Sequence, residues 1–455
     1  MLVSFSVENF RSFGGEQTLN LVSSRAQKGH EDHCIPIGDS GESVLRTSVI
    51  YGANAAGKSN LVRAMDFARD LIIDGAGPLK RIALNQFRFD SRDDSHPSTF
   101  DFRFYAHGRL FSYGFDITRD AVKSEWLSVF NDASKEIDIF HREGKEIRFG
   151  DLSKFGDDAQ ASVEALEALK LLGTRPNQLL LNKIVDLDGD RRGALLNIVV
   201  WWFNECLTII EPGASYRPMI ELLDEKSAFR EFAGEFLANV GTGIGDIDVE
   251  QNVIDADNLP KPLLENLQSA NAVEVTKMAI GPGMSLHIDP DDPTKVIRRN
   301  LTSHHQVGDE RFHLPFDEES DGTQRLLHLL PALYHLKNSC KVFVIDELDR
   351  SLHPILSHAL LKFFSEACPG SCQQMIVTSH ETHLLDLDLL RRDEIWFAEK
   401  DASQQTQLYP LTDMRVRNDL RIEKGYLQGR FGGIPFIGGM DRLRDLVDCG
   451  ETTDA

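Results

Sequence analysis

The chain has 455 residues, of which 41% are hydrophobic, so it exceeds one typical domain and can form a sizeable core. Its formal net charge of −22 excludes a surface that coats DNA uniformly, because attraction to phosphates requires a basic face. The sequence has no run of about 18 or more apolar residues, and its N-terminus lacks the basic start and apolar centre of a signal peptide. We therefore expect a cytoplasmic protein with no membrane span.

The cysteine pattern is typical of a reducing compartment. The six cysteines are scattered and few for the length of the chain, at positions 34, 206, 340, 368, 372 and 449. Cys368 and Cys372 form a C-x3-C pair, but no second pair lies nearby, so the pattern does not favour zinc. The histidine-containing run at residues 30–33 is predicted to be a solvated polar loop rather than a metal site.

In chain order, the periodicity predicts strands, then helices, then strands again. Strands are expected at residues 2–8 and 17–22, and a loop is expected at 23–43. From residue 99 to about 149 the apolar pattern has a period of two, which predicts an antiparallel β-meander. Helices are predicted at 158–172, 192–207, 227–240 and within 258–279, and further strands at 246–251, 284–289 and 295–299. No heptad repeat is sustained, so no long coiled coil is expected.

The central motif of the sequence is a phosphate-binding loop. Residues 52–59 match G-x-x-x-x-G-K-S/T and lie between an apolar strand at 44–51 and a helical pattern at 60–68. Glycines let the backbone approach phosphate oxygens, and the N–H groups at the helix start point at the anion. Lys58 is predicted to reach the β- and γ-phosphates of ATP, and Ser59 to hold Mg²⁺. The candidate nucleotide-binding residues of this stretch are Gly52, Asn54, Gly57, Lys58, Ser59 and Asn60.

Two acidic residues end a second apolar strand at 340–347. The strand predicts burial in a parallel sheet, whose ligand edge is formed by the carboxyl ends of its strands. Asp346 suits a Mg²⁺ ligand, and Glu347 suits a general base for an attacking water. A third strand at 374–379 ends at His380, which could contact the γ-phosphate.

A short segment about twenty residues before the acidic strand opens a helix with Ser320, Asp321 and Gly322. A serine and a glycine before a helix make an anion-binding N-terminus, although alone they indicate only a helix cap. The order of this segment between the phosphate-binding loop and the acidic strand makes it a candidate part of the site.

Together these motifs resemble those of an ABC-type ATPase head: Walker A at 52–59, a signature at 320–324, Walker B at 342–347, a D-loop at 348–349 and a switch histidine at 380. The Asn-Phe-Arg-Ser-Phe run at 9–13 resembles the start of SMC-type and recombination-type heads. With the tail at 426–435, the chain is similar to the bacterial AAA-type ATPases of the RloA/AbiLi abortive-infection group. The resemblance implies an α/β, ABC/SMC-type P-loop head, with a mixed sheet and an antiparallel β-subdomain, plus a mostly helical insertion.

The resemblance also implies three segments and a shared site. Lobe I would span 1–151, the helical insertion 152–280 and lobe II 281–455. Each ATP would lie between Lys58, Ser59, Asp346 and Glu347 of one subunit and the 320–322 signature of another, which requires a homodimer or a larger homo-oligomer. Arg11 and Asp349 join the candidate nucleotide-binding residues, with Ser320 and Gly322. The Q-loop glutamine of ABC heads is not assigned: Gln178 and Asn182 follow the meander and fit better than Gln86, which precedes it.

Relatives of this group act in phage defence beside a separately encoded effector, often a Toprim-like nuclease, so the resemblance implies such an effector and a phage-derived trigger. An alternative is an SMC or recombination-type DNA-repair ATPase that clamps DNA. Direct DNA binding is possible but not favoured; its candidate contacts are Lys295, Arg298, Arg299, Arg415, Arg417, Arg421, Lys424 and Arg430. A transporter ATPase subunit or a nuclease within this chain is less well supported, since the signature is altered and no separate carboxylate cluster follows the ATPase motifs.

Overall fold

The computed structural model describes residues 1–38, 40–77, 80–89, 95–131, 135–155, 157–212, 219–269, 277–279, 283–334, 336, 340–414 and 422–433. The basic residues Arg415, Arg417 and Arg421, part of the tail at 434–435, and Cys449 lie outside these ranges.

The described strands and helices follow in chain order. The strands are β1 (Leu2–Glu8), β2 (Gln17–Asn20), β3 (Cys34–Pro36), β4 (Ser43–Leu45), β5 (Thr47–Tyr51), β6 (Ser98–Ala106), β7 (Arg109–Ile117), β8 (Val122–Asn131), β9 (Lys135–Glu143), β10 (Glu146–Phe149), β11 (Leu207–Ile210), β12 (Ile244–Asp255), β13 (Lys277–Ala279), β14 (Met284–Ile288), β15 (Lys295–Val307), β16 (Glu310–Pro315), β17 (Val342–Ile345), β18 (Gln374–Thr378), β19 (Ile395–Lys400) and β20 (Thr406–Pro410). The helices are α1 (Lys58–Ile73), α2 (Asp157–Leu172), α3 (Leu180–Val185), α4 (Gly189–Arg192), α5 (Ala194–Trp201), α6 (Met219–Glu225), α7 (Ser227–Asn239), α8 (Lys261–Ser269), α9 (Asp321–Tyr334), α10 (Pro354–Glu366) and α11 (Ile422–Leu427).

A seven-stranded antiparallel sheet has the order β10-β9-β8-β7-β6-β1-β2. Its alternating sequence turns one face inward, and Phe100, Phe102 and Phe104 of β6 are fully buried. The rings of Phe67 on α1 and Phe100 on β6 lie 5.4 Å apart, so α1 packs against this sheet. The predicted meander at about 99–149 is confirmed.

The central six-stranded sheet has the order β11-β17-β18-β5-β19-β20. All its pairs are parallel except β19 with β20, and β5, β17 and β18 are buried along their whole length. Continuous apolar runs are expected in strands covered on both faces. The loops that follow β5, β17 and β18 therefore meet at one edge of the sheet. The predicted α/β class, with a mixed sheet and an antiparallel β-subdomain, is confirmed.

A third sheet is formed by β12-β15-β14-β13, with β16 paired to β15. The predicted strands at 246–251, 284–289 and 295–299 all occur in it, although β12 and β15 are longer than expected. Its strand β16 leads into the segment that precedes α9. The third sheet is thus placed next to the signature.

One glutamine joins the first two sheets. The side chain of Gln374, at the start of β18, accepts from Leu2 N at 2.5 Å and donates to the carbonyls of Leu2 and Leu45 at 2.9 Å. The residue is fully buried. Buried amide groups that satisfy main-chain donors and acceptors fix the relative position of neighbouring elements.

The segment at residues 23–51 differs from the prediction. The expected loop contains β3, which pairs with β4, and the expected strand at 44–51 is divided into β4 and β5 at Arg46. Arg46 is buried, and its guanidinium donates to the carbonyls of Phe364 and Ser365 at the end of α10. A long-range contact of this kind leaves no local sequence pattern.

The range 152–280 contains α2 to α8 and two strands with distant partners. β11 pairs in parallel with β17 and is an edge of the central sheet, whereas β12 pairs with β15. The predicted helix at 192–207 ends at Trp201 and is followed by a π-helical turn at Trp202–Cys206. β11 follows this turn directly and begins at Leu207, the last residue of the predicted helix, and this strand was not predicted.

Two polar clusters also depart from expectation. His33, expected in a solvated loop, is buried and bonds to Glu394 at 2.9 Å. Cys340 and Cys372, expected to be unpaired, form a disulfide with Cα atoms 4.9 Å apart.

Among the described residues, no group of three or more histidine, cysteine or acidic side chains could hold a metal ion. None of the described helices combines the length and the apolar character that a membrane span needs.

Candidate nucleotide-binding site

Two glycines shape the loop between β5 and α1. Gly57 has φ of 111°, and a Cβ there would lie 2.0 Å from Thr406 Oγ1 and 2.9 Å from Ser12 Oγ. A Cβ at Gly52 would lie 2.3 Å from the carbonyl oxygen of Ala398. Both positions therefore exclude larger residues, as a phosphate-binding loop requires.

Lys58 is the first residue of α1, and its side chain turns back into the loop. Nζ donates to the carbonyls of Gly52 at 2.8 Å and Ala53 at 3.3 Å and lies 3.3 Å from His380 Nδ1. Burial lowers the pKa of Lys58 to about 8, against the opposing influence of Asp346 and other nearby carboxylates. An ammonium held in this loop is a ready partner for phosphate oxygens.

This lysine predicts a pH dependence of ATP affinity. Phosphates favour the protonated lysine, which predominates below its pKa of about 8 in the free protein. Affinity is expected to be constant below that pH and to fall above it, at most about tenfold per pH unit, until the pKa of the bound form is reached. Titration with a fluorescent ATP analogue between pH 6.5 and 9.5 measures this dependence of affinity on pH. Lys58→Gln, which has no titratable side chain here, should bind weakly at every pH; wild-type affinity that is flat or rises above pH 8 contradicts the role.

The acidic residues meet the phosphate-binding loop at the same edge of the sheet. Asp346 Oδ1 accepts from Ser59 Oγ at 3.2 Å and from Thr378 Oγ1 at 2.6 Å. Asp346 is buried, and a hydroxyl and a carboxylate oxygen lie together as hard ligands. The donor set fits Mg²⁺, which usually takes one or two carboxylate ligands and phosphate oxygens.

Glu347 occupies an unusual backbone position, with φ of 48°. Its N–H donates to Thr378 Oγ1 at 2.8 Å, and its carbonyl accepts from Arg325 at 3.2 Å. Its carboxylate is about one third exposed and lies 3.7 Å from Arg350. The main chain is thus held on both sides while the carboxylate stays accessible to a reacting water.

Thr378 is a site residue that the sequence interpretation missed. Its hydroxyl donates to Asp346 and accepts from Glu347 N, so one side chain orients both acids. The only signal in the sequence was its position at the end of a buried strand, two residues before His380.

Removing this hydroxyl is expected to slow ATP turnover by roughly 10- to 100-fold, the usual effect of losing a group that orients a metal ligand. Thr378→Val keeps the shape of the side chain and removes the hydrogen bonds, whereas Thr378→Ser keeps them. We expect Thr378→Ser to stay within about threefold of wild type and Thr378→Val to need more Mg²⁺ for half-maximal turnover. Phosphate release measured against Mg²⁺ concentration checks this, and equal rates for the two variants would contradict it.

His380 is neutral in this environment. Burial, and then the neighbouring Lys58 charge, lower the pKa of His380 below its usual value. The ring nitrogen Nδ1 of His380 can then accept from the Lys58 ammonium, 3.3 Å away. The main-chain N–H of His380 donates to the Asp349 carboxylate at 3.3 Å. The predicted switch histidine, D-loop aspartate and loop lysine are therefore brought together.

The N-terminal turn lies against the phosphate-binding loop through Ser12. Ser12 Oγ accepts from Asn60 Nδ2 and shares a hydrogen bond with Thr406 Oγ1, both at 2.8 Å. Thr406, a second residue missed from sequence, donates to Ala56 O at 2.9 Å. Asn54 is exposed in the loop. Arg11 is half-buried beside Ser12, and its main-chain N–H donates to Asn85 O at 2.7 Å.

The signature lies at the start of α9 and is tied to Walker B. Ser320 Oγ accepts from Thr323 N at 3.2 Å, and a Cβ at Gly322 would lie 2.7 Å from Ser351 O in the D-loop segment. Arg325, the first residue after the signature, donates to Asp346 O at 2.7 Å. Burial lowers the pKa of Arg325 to about 10, so it stays charged at neutral pH.

The residue before the signature is fixed to the third sheet. The Glu319 carboxylate accepts from Ser303 Oγ at 2.5 Å and contacts His305 Nε2 at 2.6 Å, both on β15. Signature and Walker B are thus held by contacts within one chain, and the third sheet has a direct connection to the signature.

The two later Q-loop candidates lie at the C-terminal end of α1. Asn182 donates to the carbonyls of Ile72 and Ile73, at the C-terminal end of the helix, and accepts from Gln178. A 16-residue helix is about 24 Å long, so this contact is remote from the phosphate-binding loop. Gln86 instead follows Asn85, the acceptor of the Arg11 main chain. The preference for the two later residues is not supported by these contacts.

Comparison with known proteins gives one family match and several matches to solved structures. A family model described as "AAA domain, putative AbiEii toxin, Type IV TA system" matches residues 48–386, more than half of the chain. A search of curated proteins finds no significant match. Solved structures with similarity include an SMC head domain from Thermotoga maritima, 11% identical with a TM-score of 0.35, covering 90% of this chain and 98% of that one. Another is the recombination mediator protein RecF with a bound ATP analogue, 12% identical with a TM-score of 0.36, covering 90% and 98%. Similarity this low says nothing about the ligands or partners of this chain.

Proposed function

The chain belongs to this AAA-domain family, and from that premise we propose that it is an ATP-hydrolysing switch that dimerises around ATP. The observation that carries the proposal is the convergence of Lys58, Ser59, Asp346, Glu347 and His380 at one edge of the central sheet. Lys58 would bind the phosphates, Ser59 and Asp346 would hold Mg²⁺, and Glu347 would take the proton from the attacking water. A Mg²⁺ ion held by these residues would offset the negative charge of the phosphates.

The signature supports a site shared between two copies. Ser320 immediately precedes α9 and Gly322 lies in its first turn, and the contacts of this helix with its own site run through Arg325 to the Walker B carbonyls. A serine hydroxyl and the main-chain N–H groups at the start of a 14-residue helix suit a phosphate supplied by another subunit. In this proposal, ATP holds the dimer closed and hydrolysis opens it.

The test is joint measurement of turnover and assembly. We expect the purified chain to release phosphate in the presence of Mg²⁺ and ATP, and to increase in mass by light scattering with ATP but not with ADP. A chain that binds ATP but has the same mass with both nucleotides would contradict the shared site without contradicting nucleotide binding.

We further propose that the switch acts in abortive infection. A phage-derived trigger changes the ATP cycle, and this change activates a separately encoded toxic effector, such as a Toprim-like nuclease. The family description supports this role by associating the domain with a toxin–antitoxin system. Plating of phages on cells that carry the native operon tests it. Protection that is lost in a Glu347→Gln operon is expected, and protection that is indifferent to this substitution would count against ATP control.

The DNA-clamping alternative lacks support from the basic residues of β15. Arg299 pairs with Asp224 at 2.9 Å, Lys295 with Asp292 at 3.4 Å, and Arg298 donates to Asn300 at 3.0 Å. Because these side chains already contact neighbouring groups of the chain, they are typical of a solvated strand rather than of a groove that binds phosphates. Tight, salt-sensitive and ATP-dependent binding of a DNA duplex would restore this alternative.

A further inference from the structure

The Cys340–Cys372 disulfide lies at the N-terminal ends of two central strands, whereas the nucleotide site lies at their C-terminal ends. Cys340 comes two residues before β17 and Cys372 two residues before β18, and the two strands are paired in parallel from Val342 and Gln374 onward. Their other ends carry Asp346 and the Thr378 hydroxyl. The bond therefore joins the starts of the two strands that end in the site.

A cavity of about 510 Å³ opens beside this bond. It lies between the tip of the β6–β7 hairpin, the end of α5 and the two cysteines, and its wall includes Trp201, Glu205 and Lys341. Cys340 is exposed and Cys372 is half-buried, so a small molecule in the cavity can reach the sulfur atoms. A volume of this size accommodates a small ligand.

The cavity wall combines apolar surface with charged side chains that include Lys341 and Glu205. The Lys341 ammonium suits a carboxylate, the Glu205 carboxylate suits an amine, and Trp201 offers an apolar face. A short peptide that carries carboxylates, an amine and sulfur matches this wall.

We propose that Cys340 and Cys372 form a thiol–disulfide exchange site for a small peptide disulfide of the glutathione type. The Cys340 thiolate attacks one sulfur of the peptide disulfide, forms a mixed disulfide and releases one peptide thiol. The Cys372 thiolate then attacks the Cys340 sulfur, closes the protein disulfide and releases the second peptide thiol. Two protein thiols are oxidised, one peptide disulfide is reduced to two thiols, and the two protons lost by the protein thiols are taken up by the two released peptide sulfurs.

The bond constrains a junction between sheets. Cys372 is two residues from Gln374, whose side chain binds the main chain of Leu2 and Leu45. Closing the bond restricts the start of β18 at this junction, and a cross-link of 32 residues in sequence stabilises the folded chain. Reduction is expected to lower the Tm by roughly 5 °C.

The experiment counts thiols in the full chain after incubation with oxidised glutathione or with dithiothreitol. We expect two fewer reactive thiols per denatured chain after oxidation than after reduction, because Cys340 and Cys372 pair. Cys368→Ser is the matched control: it removes a nearby free cysteine, leaves the pair intact and should show the same difference of two thiols and the same change in Tm.

Single variants identify the order of attack. Cys372→Ser should retain one glutathionyl group on Cys340 by peptide mass spectrometry, and Cys340→Ser should retain none on Cys372. Lys341→Gln should slow formation of the adduct several-fold. Equal thiol counts after oxidation and after reduction, a bond that excess reduced glutathione does not open, an adduct confined to other cysteines, or an unchanged Tm would each overturn the proposal. These readouts do not involve ATP, so they are independent of the proposed nucleotide switch.

Discussion

Glu347→Gln is expected to lower ATP turnover by about 100-fold or more while leaving ATP affinity within a few-fold of wild type. The amide keeps the size of the side chain but cannot accept a proton from the attacking water. Phosphate binding by Lys58 and metal binding by Ser59 and Asp346 do not involve this carboxylate. Phosphate release and titration with a fluorescent ATP analogue measure the two quantities separately.

The same variant should accumulate the ATP-bound dimer, because the step that opens it is blocked. Light scattering with ATP and Mg²⁺ should show a larger dimer fraction than wild type after turnover has begun. Glu211→Gln is the matched control, since Glu211 follows β11 at the same edge of the sheet and its carboxylate lies 3.8 Å from Arg63. Normal turnover in Glu347→Gln, or an equal loss in Glu211→Gln, would remove Glu347 from the role of general base.

Local patterns were sufficient to predict that the residues of the candidate nucleotide site lie together, because they follow buried strands. The apolar runs before Gly52, Asp346 and His380 predicted strands, and parallel strands place their carboxyl ends together. The alternating aromatic residues of β6 likewise predicted the antiparallel sheet. Each of these inferences required only the apolar pattern of one segment and the identity of the residue that ends or follows it.

What could not be predicted depends on contacts between distant residues. Thr378, Thr406 and Arg325 act through hydrogen bonds to groups that lie between 21 and 394 positions away, and their residue types are common at strand ends and in helices. The Cys340–Cys372 bond spans 32 positions, and β11 acquires its place only from its partner β17. Sequence periodicity contains no information on such pairings.

Mixing two inactive variants is expected to restore turnover if each site is shared between subunits. Lys58→Ala removes the phosphate-binding ammonium, and Ser320→Arg fills the signature with a bulky side chain, so each variant alone should lose nearly all turnover. In a mixed dimer, the intact loop of the Ser320→Arg chain faces the intact signature of the Lys58→Ala chain. Random exchange makes half of the dimers mixed with one competent site each, so about one quarter of wild-type turnover should return.

The control for this mixture is Lys58→Ala combined with the double variant Lys58→Ala/Ser320→Arg, in which no dimer contains an intact phosphate-binding loop. Its turnover should stay at the level of the single variants at every mixing ratio. A subunit that carries a complete site would give the opposite pattern: Ser320→Arg alone would retain turnover, and mixing would only average the two rates. The dependence of turnover on mixing ratio therefore distinguishes a site completed by a second copy from one contained in a single chain.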